Sequence, residues 1–285
     1  MATHQDSLKR LTFTRQIVYV LVATSIILPF LIKGISLPFE AEPGAETFYK
    51  QLDRLPPGSH VLMSFDYDPP SKAELYPMTV ALLRHCFEKD VIPIVMTNWP
   101  SGLGLFEKAC GDVAAEFADK GDKKVSGTDY VFLGYRPSMS DLILNMGVDI
   151  KGAFTTDYYK QPTAAMPALE GVKSLRDIDL AVALAAGNTV ELWMAYGSDR
   201  FGFPLAAGTT AIGAPKLYPF LNSGQLVGLL GGLRGAADYE KLIERPDIAT
   251  SGMVALSGAH ILLIVLILGA NIWYVVGRIT GREGS

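Results

Sequence analysis

The sequence predicts a three-layer α/β domain, with a Rossmann-like parallel sheet covered on both faces, flanked by two transmembrane helices. Three observations carry this. Residues 251–276 contain no Asp, Glu, Lys or Arg, and at about 1.5 Å per residue such a run is long enough for a hydrocarbon core of about 30 Å. A second apolar run occupies 16–33, near the other end. Between them, short β-type runs alternate with helical spacings, the mark of crossover units around a parallel sheet. The chain divides into a cytoplasmic tail (1–15), a first span (16–33), a domain (34–250), a second span (251–276) and a C-terminal tail (277–285).

Composition agrees with that division. The 285 residues are 49% hydrophobic, with a mean hydropathy of +0.25, as two spans and one ordinary domain require. A net charge of −4 gives no global positive field, which excludes the electrostatic footprint of a nucleic-acid binder.

Lys9, Arg10 and Arg15 stand directly before the first span and place the N-terminus in the cytoplasm. That span ends in Pro29-Phe30-Leu31-Ile32-Lys33 without a small-residue cleavage site, so it reads as a retained membrane anchor. Two spans return the C-terminus to the same side, in agreement with Arg278 and Arg282, and leave the domain outside the cytoplasm. After the turn Pro56-Pro57-Gly58, Val61–Phe65 reads as a strand. Ser71–Lys89 follows as a helix with apolar Leu75, Met78, Leu82 and Phe87 in helical spacing and Ser71 with Glu74 spaced as a capping box. Val91–Met96 is a second strand, in which Pro93 points to an edge or a bulge. Leu103–Ala118 reads as a helix, Asp129–Gly134 as a strand, Ser138–Met146 as a short helix and Ile150–Phe154 as a weak strand. Periodicity leaves Ile178–Ala185 open between buried strand and helix. Asn188–Tyr196 reads as a helix, Pro204–Ile212 contains a strand, and Ser223–Ile243 reads as one final helix. Cys86 and Cys110 lack metal-site spacing and read as two small buried side chains, a single bridge being the alternative.

In an open parallel sheet, ligands bind beyond the carboxyl ends of the strands. There the sequence offers Asp66 and Asp68 after the first strand, Thr97 and Asn98 after the second, Arg136 after the third, Gly187-Asn188 later, and Thr209 with Thr210. These are the candidate ligand-binding residues. The first two loops resemble the haloacid dehalogenase-like phosphotransferases, in which a strand ends in D-x-D and a second strand ends in Thr or Ser. The resemblance implies Asp66 as nucleophile, Asp68 as general acid or base and Thr97 as the second motif, with a metal neutralising phosphate charge. It covers this stretch alone, since Pro69-Pro70 replaces the usual continuation, no acidic pair follows, and Lys120, Lys123 and Lys124 match the family's lysine only loosely. The bottom-up alternative is a helix-entry turn in which the carboxylates satisfy backbone N–H groups. His60 and His85 have no companion at metal-ligand spacing, and Gly102-Leu103-Gly104 lacks the third glycine of a dinucleotide loop.

Two features point to partners. Read as a helix, Ser223–Ile243 brings Gly224, Gly228 and Gly232 onto one flat face, suited to a subunit contact or to close packing on the domain's own sheet. In the second span His260 and Asn271 are eleven residues apart and face the same way; polar groups there favour another helix or water over lipid. Trp273 and Tyr274 sit where an interfacial aromatic belt belongs. The glycine-rich run, with FDYDPPS and LLRHCF, is similar to a family of uncharacterised prokaryotic membrane proteins with a span, domain, span layout, a likeness that implies no activity.

The expectation is a membrane-anchored, non-enzymatic subunit or scaffold of a larger assembly, partnered by the bilayer and by other membrane-protein subunits or a second copy, with no metal and no cofactor. The alternatives are a small-ligand sensor using the strand-end crevice and a metal-dependent phosphotransferase.

Overall fold

The computed structural model describes residues 2–32 and 40–280, with the backbone alone for 2–11. Lys33 and Arg282, used above for the anchor's end and for orientation, lie outside the described residues. The elements in order are α1 (Ala2–Leu31), α2 (Pro43–Asp53), β1 (His60–Asp66), α3 (Lys72–Glu88), β2 (Ile92–Thr97), α4 (Leu103–Asp119), β3 (Val131–Tyr135), α5 (Met139–Met146), α6 (Ile150–Ala153), β4 (Leu180–Ala185), α7 (Thr189–Leu192), α8 (Asp199–Phe201), β5 (Leu205–Thr209), α9 (Ala214–Asn222), β6 (Gly228–Gly231), α10 (Gly232–Leu242) and α11 (Ile248–Ile279). A π-helical turn, Trp193–Ser198, joins α7 to α8. Two compact units result, one of residues 1–38 with 250–285, the other Phe39–Ala249.

The domain holds a six-stranded sheet in the order β3-β2-β1-β4-β5-β6, parallel throughout. Strands buried on both faces read as continuous apolar runs rather than alternating ones, and β4 (LAVALA) is buried at all six positions. That double burial resolves the strand-or-helix ambiguity of Ile178–Ala185. One face packs Leu62, Ile94, Leu133, Ala183 and Leu205 against α5, the π turn and α9, with Trp193 fully buried among them. The other face is covered by α3 and α4, where Phe65 and Phe106 lie 5.4 Å apart. Cys86 and Cys110 are free and buried.

Several expected elements differ. Ile150–Ala153 is a helical turn, not a strand. Strand β2 is internal, not an edge. Ile92 donates its N–H to Ser59 on the β1 side, which turns Pro93's missing donor toward β3, and pairing with β3 starts only at Ile94. The expected irregularity is a register shift between Val95 and Met96. Ser71 caps nothing with its side chain. Glu74 instead accepts from Ala211 N–H at 2.7 Å, tying the start of α3 to the loop after β5.

The largest correction concerns Ser223–Ile243, which is a turn, the strand β6 and the helix α10. Gly224 turns the chain with φ +80° and Gly232 starts α10 with φ +58°. At Gly228 a β-carbon would stand 2.4 Å from Phe48 Cα, so the strand lies directly on the backbone of α2. The three glycines therefore share no helical face. Close packing within the domain accounts for Gly228.

Helices α1 and α11 are long and apolar enough to cross a membrane. In α1 the less exposed residues are Val18, Val22, Ser25 and Pro29, and in α11 they include Gly258, Leu262 and Leu266, both at the three-and-four spacing of a helical seam. A β-carbon at Gly258 would lie 3.5 Å from the Ser25 carbonyl oxygen. Before α11, Glu240 is buried and accepts from the N–H groups of Asp247 at 2.8 Å and Ala249 at 2.9 Å, capping that helix with a carboxylate from α10.

Candidate functional site

The sheet order reverses direction between β1 and β4, and a crevice at such a switch point is where this architecture seats ligands. Here the chain fills it. Asp66, the last residue of β1, is fully buried. Its Oδ1 accepts from Asn98 N–H at 2.7 Å and its Oδ2 from Ser64 Oγ at 2.7 Å. Burial pushes the carboxyl up to about 6, against the opposing pull of the Asn98, Ser64, Thr189 and Thr97 donors. Of these, Thr189 Oγ1 completes no hydrogen bond of good geometry. With both oxygens engaged and no exposed surface, Asp66 offers no approach to a phosphorus atom and acts as a clip between the ends of β1 and β2.

The other expected residues divide. Asp68 is half-buried at the surface, where its Oδ1 accepts from Ser71 Oγ at 3.2 Å. Thr97 Oγ1 accepts from Trp99 N–H at 2.9 Å and shapes its own turn. The Asn98 side chain has both polar atoms closed off from solvent without a partner. Arg136, two strands away at the end of β3, donates to the Tyr135 carbonyl at 3.2 Å and lies 5.1 Å from the Phe154 ring. Thr209 donates to the Ala185 carbonyl at 2.8 Å, joining β5 to β4. Asp66, Thr97 and Asn98 are thus brought together, Thr209 stands on β5, two strands from β1, and Asp68 and Arg136 are separate. Over the switch point lies Trp99, whose indole would be 3.2 Å from a β-carbon at Gly187.

The open space lies beside the crevice. A cavity of about 220 Å³ separates the loop after β4 from the loop after β5, lined by Ala186, Gly187, Asn188, Glu191, Thr209, Thr210, Ile212, Gly213, Lys216 and Leu217. Sequence reasoning misses Glu191 and Lys216, because Glu191 sits inside an expected helix and Lys216 lies on α9, which the periodicity does not mark. Pro215 in the first turn of α9 is the available signal. A second hollow, of about 230 Å³, lies at the far end of α3. Several of its polar groups are taken up internally. His85 Nδ1 is 2.8 Å from Tyr239 Oη, its ring stacks on Tyr49 at 4.9 Å, and Asp53 pairs with Lys89 at 3.3 Å. Burial lowers the His85 imidazole to about 4, so it is neutral there. Among the described residues, no three His, Cys, Asp or Glu side chains gather as a metal-holding group.

No protein-family model matches the chain, and a comparison with curated proteins finds no match.

Proposed function

We propose that this protein is a two-span, membrane-anchored, non-enzymatic subunit that joins a larger membrane assembly, or a second copy of itself, through the His260 and Asn271 face of α11. One observation carries the reading. Leu262 belongs to the half-buried seam of α11, whereas His260 and Asn271 are exposed. At about 100° per residue, Asn271 lies about 180° and His260 about 160° around the helix from Leu262. The polar stripe therefore faces away from the seam. His260 Nδ1 is satisfied by the Leu256 carbonyl at 2.8 Å, while the Asn271 amide has no partner among the described residues. In lipid such an amide is costly, and a neighbouring helix is its ordinary remedy.

The test is the size of the assembly in mild detergent. Asn271→Leu weakens association by about three- to thirtyfold, the effect of losing about 0.6–2 kcal/mol of interhelical hydrogen bonding, and the native-gel or light-scattering mass falls on dilution. An unchanged mass for both Asn271→Leu and the His260→Leu, Asn271→Leu double variant overturns the proposal.

A further inference from the structure

The cavity beside the switch point carries chemistry that lateral association does not use. It holds one carboxylate, Glu191, and one ammonium, Lys216. Neither forms an ion pair among the described residues. Glu191 Oε2 is closed off from solvent and has no donor, so part of the carboxylate's hydration is given up with nothing in the chain to replace it. Ile212, at the cavity's mouth, is 90% exposed, more than any other large apolar side chain among the described residues. An unmatched carboxylate inside and an uncovered apolar side chain at the rim both call for an occupant.

The backbone narrows its chemistry. The N-terminus of α9 has no donors left for an anion: Gly213 and Ala214 donate to the Thr210 carbonyl at 2.9 and 3.0 Å, and Lys216 N–H donates to the Gly213 carbonyl at 3.2 Å. Pro215 has no N–H. A phosphate would meet no cradle there and would face Glu191. A simple amine would suit Glu191 but meet Lys216. A molecule carrying both charges satisfies both side chains.

We propose that this cavity binds a small zwitterion of the amino-acid type, its ammonium against Glu191 and its carboxylate against Lys216, with Ile212 covering its apolar part. The site is independent of the α11 contact and stands or falls separately.

The experiment titrates the full chain in mild detergent by calorimetry with each standard amino acid. For any that bind, it then uses the matched fragments; for leucine these are isopentylamine and 4-methylpentanoate. Expected is saturable binding of at least one amino acid, weakened about tenfold or more in each fragment, as the loss of a charge-assisted hydrogen bond implies. Glu191→Gln weakens the amino acid similarly, and Lys216→Met weakens it while leaving the amine fragment unaffected or improved. Unliganded unfolding midpoints equal to the parent's verify that both variants are folded. Absence of binding by every amino acid, fragments that bind as tightly as the parent compound, or undiminished binding in both variants overturns the proposal.

Discussion

Asp66 illustrates how a residue type that suggests catalysis can serve architecture. Its carboxylate is fully buried, takes hydrogen bonds from Ser64 in its own strand and from Asn98 just past the end of β2 and has its ionisation pushed up to about 6. A carboxyl raised in the folded state holds its proton more tightly there than in the unfolded chain, so its contribution to stability is full below about pH 4 and is lost as pH rises through about 6. Asn at this position can keep both contacts, accepting from Asn98 and donating to Ser64 Oγ, without a buried charge. Asp66→Asn should therefore gain on the parent by up to about 3 kcal/mol between about pH 4 and pH 8, while Asp66→Ala should lose about 1–3 kcal/mol throughout by leaving the Asn98 N–H unpaired. Denaturant unfolding of the full chain at both pH values measures this; a difference between parent and Asp66→Asn that does not change with pH refutes it. Asp66, Thr97 and Asn98 were legible as neighbours at one end of the sheet, because strand ends follow from apolar runs. Exposure was not legible: D-x-D after a strand is written the same way whether the first carboxylate opens to substrate or closes on a neighbouring loop.

Among the elements, β6 and α2 show where pattern reading fails and why. Strand β6 reads GLLG, with Leu229 and Leu230 both buried. A strand covered on both faces has no alternation to show, and glycines at four-residue intervals imitate one side of a helix. The physical reason for Gly228 lies across the interface, in the backbone of Phe48, where sequence spacing cannot reach. Helix α2 was legible in principle, with Pro43 in its first turn and Ala45, Phe48 and Leu52 buried at helical spacing. Gly228→Ala should cost the domain about 1–3 kcal/mol through overpacking on α2 and leave the mass of the proposed membrane assembly unchanged. A stable Gly228→Ala domain in a dispersed assembly would return this glycine to a partner surface. The strands and helices framed by ordinary turns follow from periodicity alone, since a parallel sheet with crossover helices leaves few other ways to bury those runs.

At the scale of the whole molecule, two apolar ends enclose a mixed domain, and the fold divides accordingly into two units. The side on which the domain resides follows in the proposed topology from basic residues near the spans. Cysteine chemistry can test it directly, because Cys86 and Cys110 are fully buried and burial pushes the Cys86 thiol up well beyond its ordinary range. Lys123 is exposed in the loop after α4. In intact cells a membrane-impermeant maleimide should label Lys123→Cys and leave the parent unlabelled; protection of Lys123→Cys until lysis would put the domain in the cytoplasm.

The indole resting on Gly187 has a spectroscopic consequence. Of three tryptophans, Trp193 is buried in the core and Trp273 is 79% exposed on α11, while Trp99 lies against Gly187, which lines the cavity. Its emission supplies an optical gauge of occupancy for the amino-acid titration, with Trp99→Phe as the control in which the ligand-dependent change is lost, and no dye to attach.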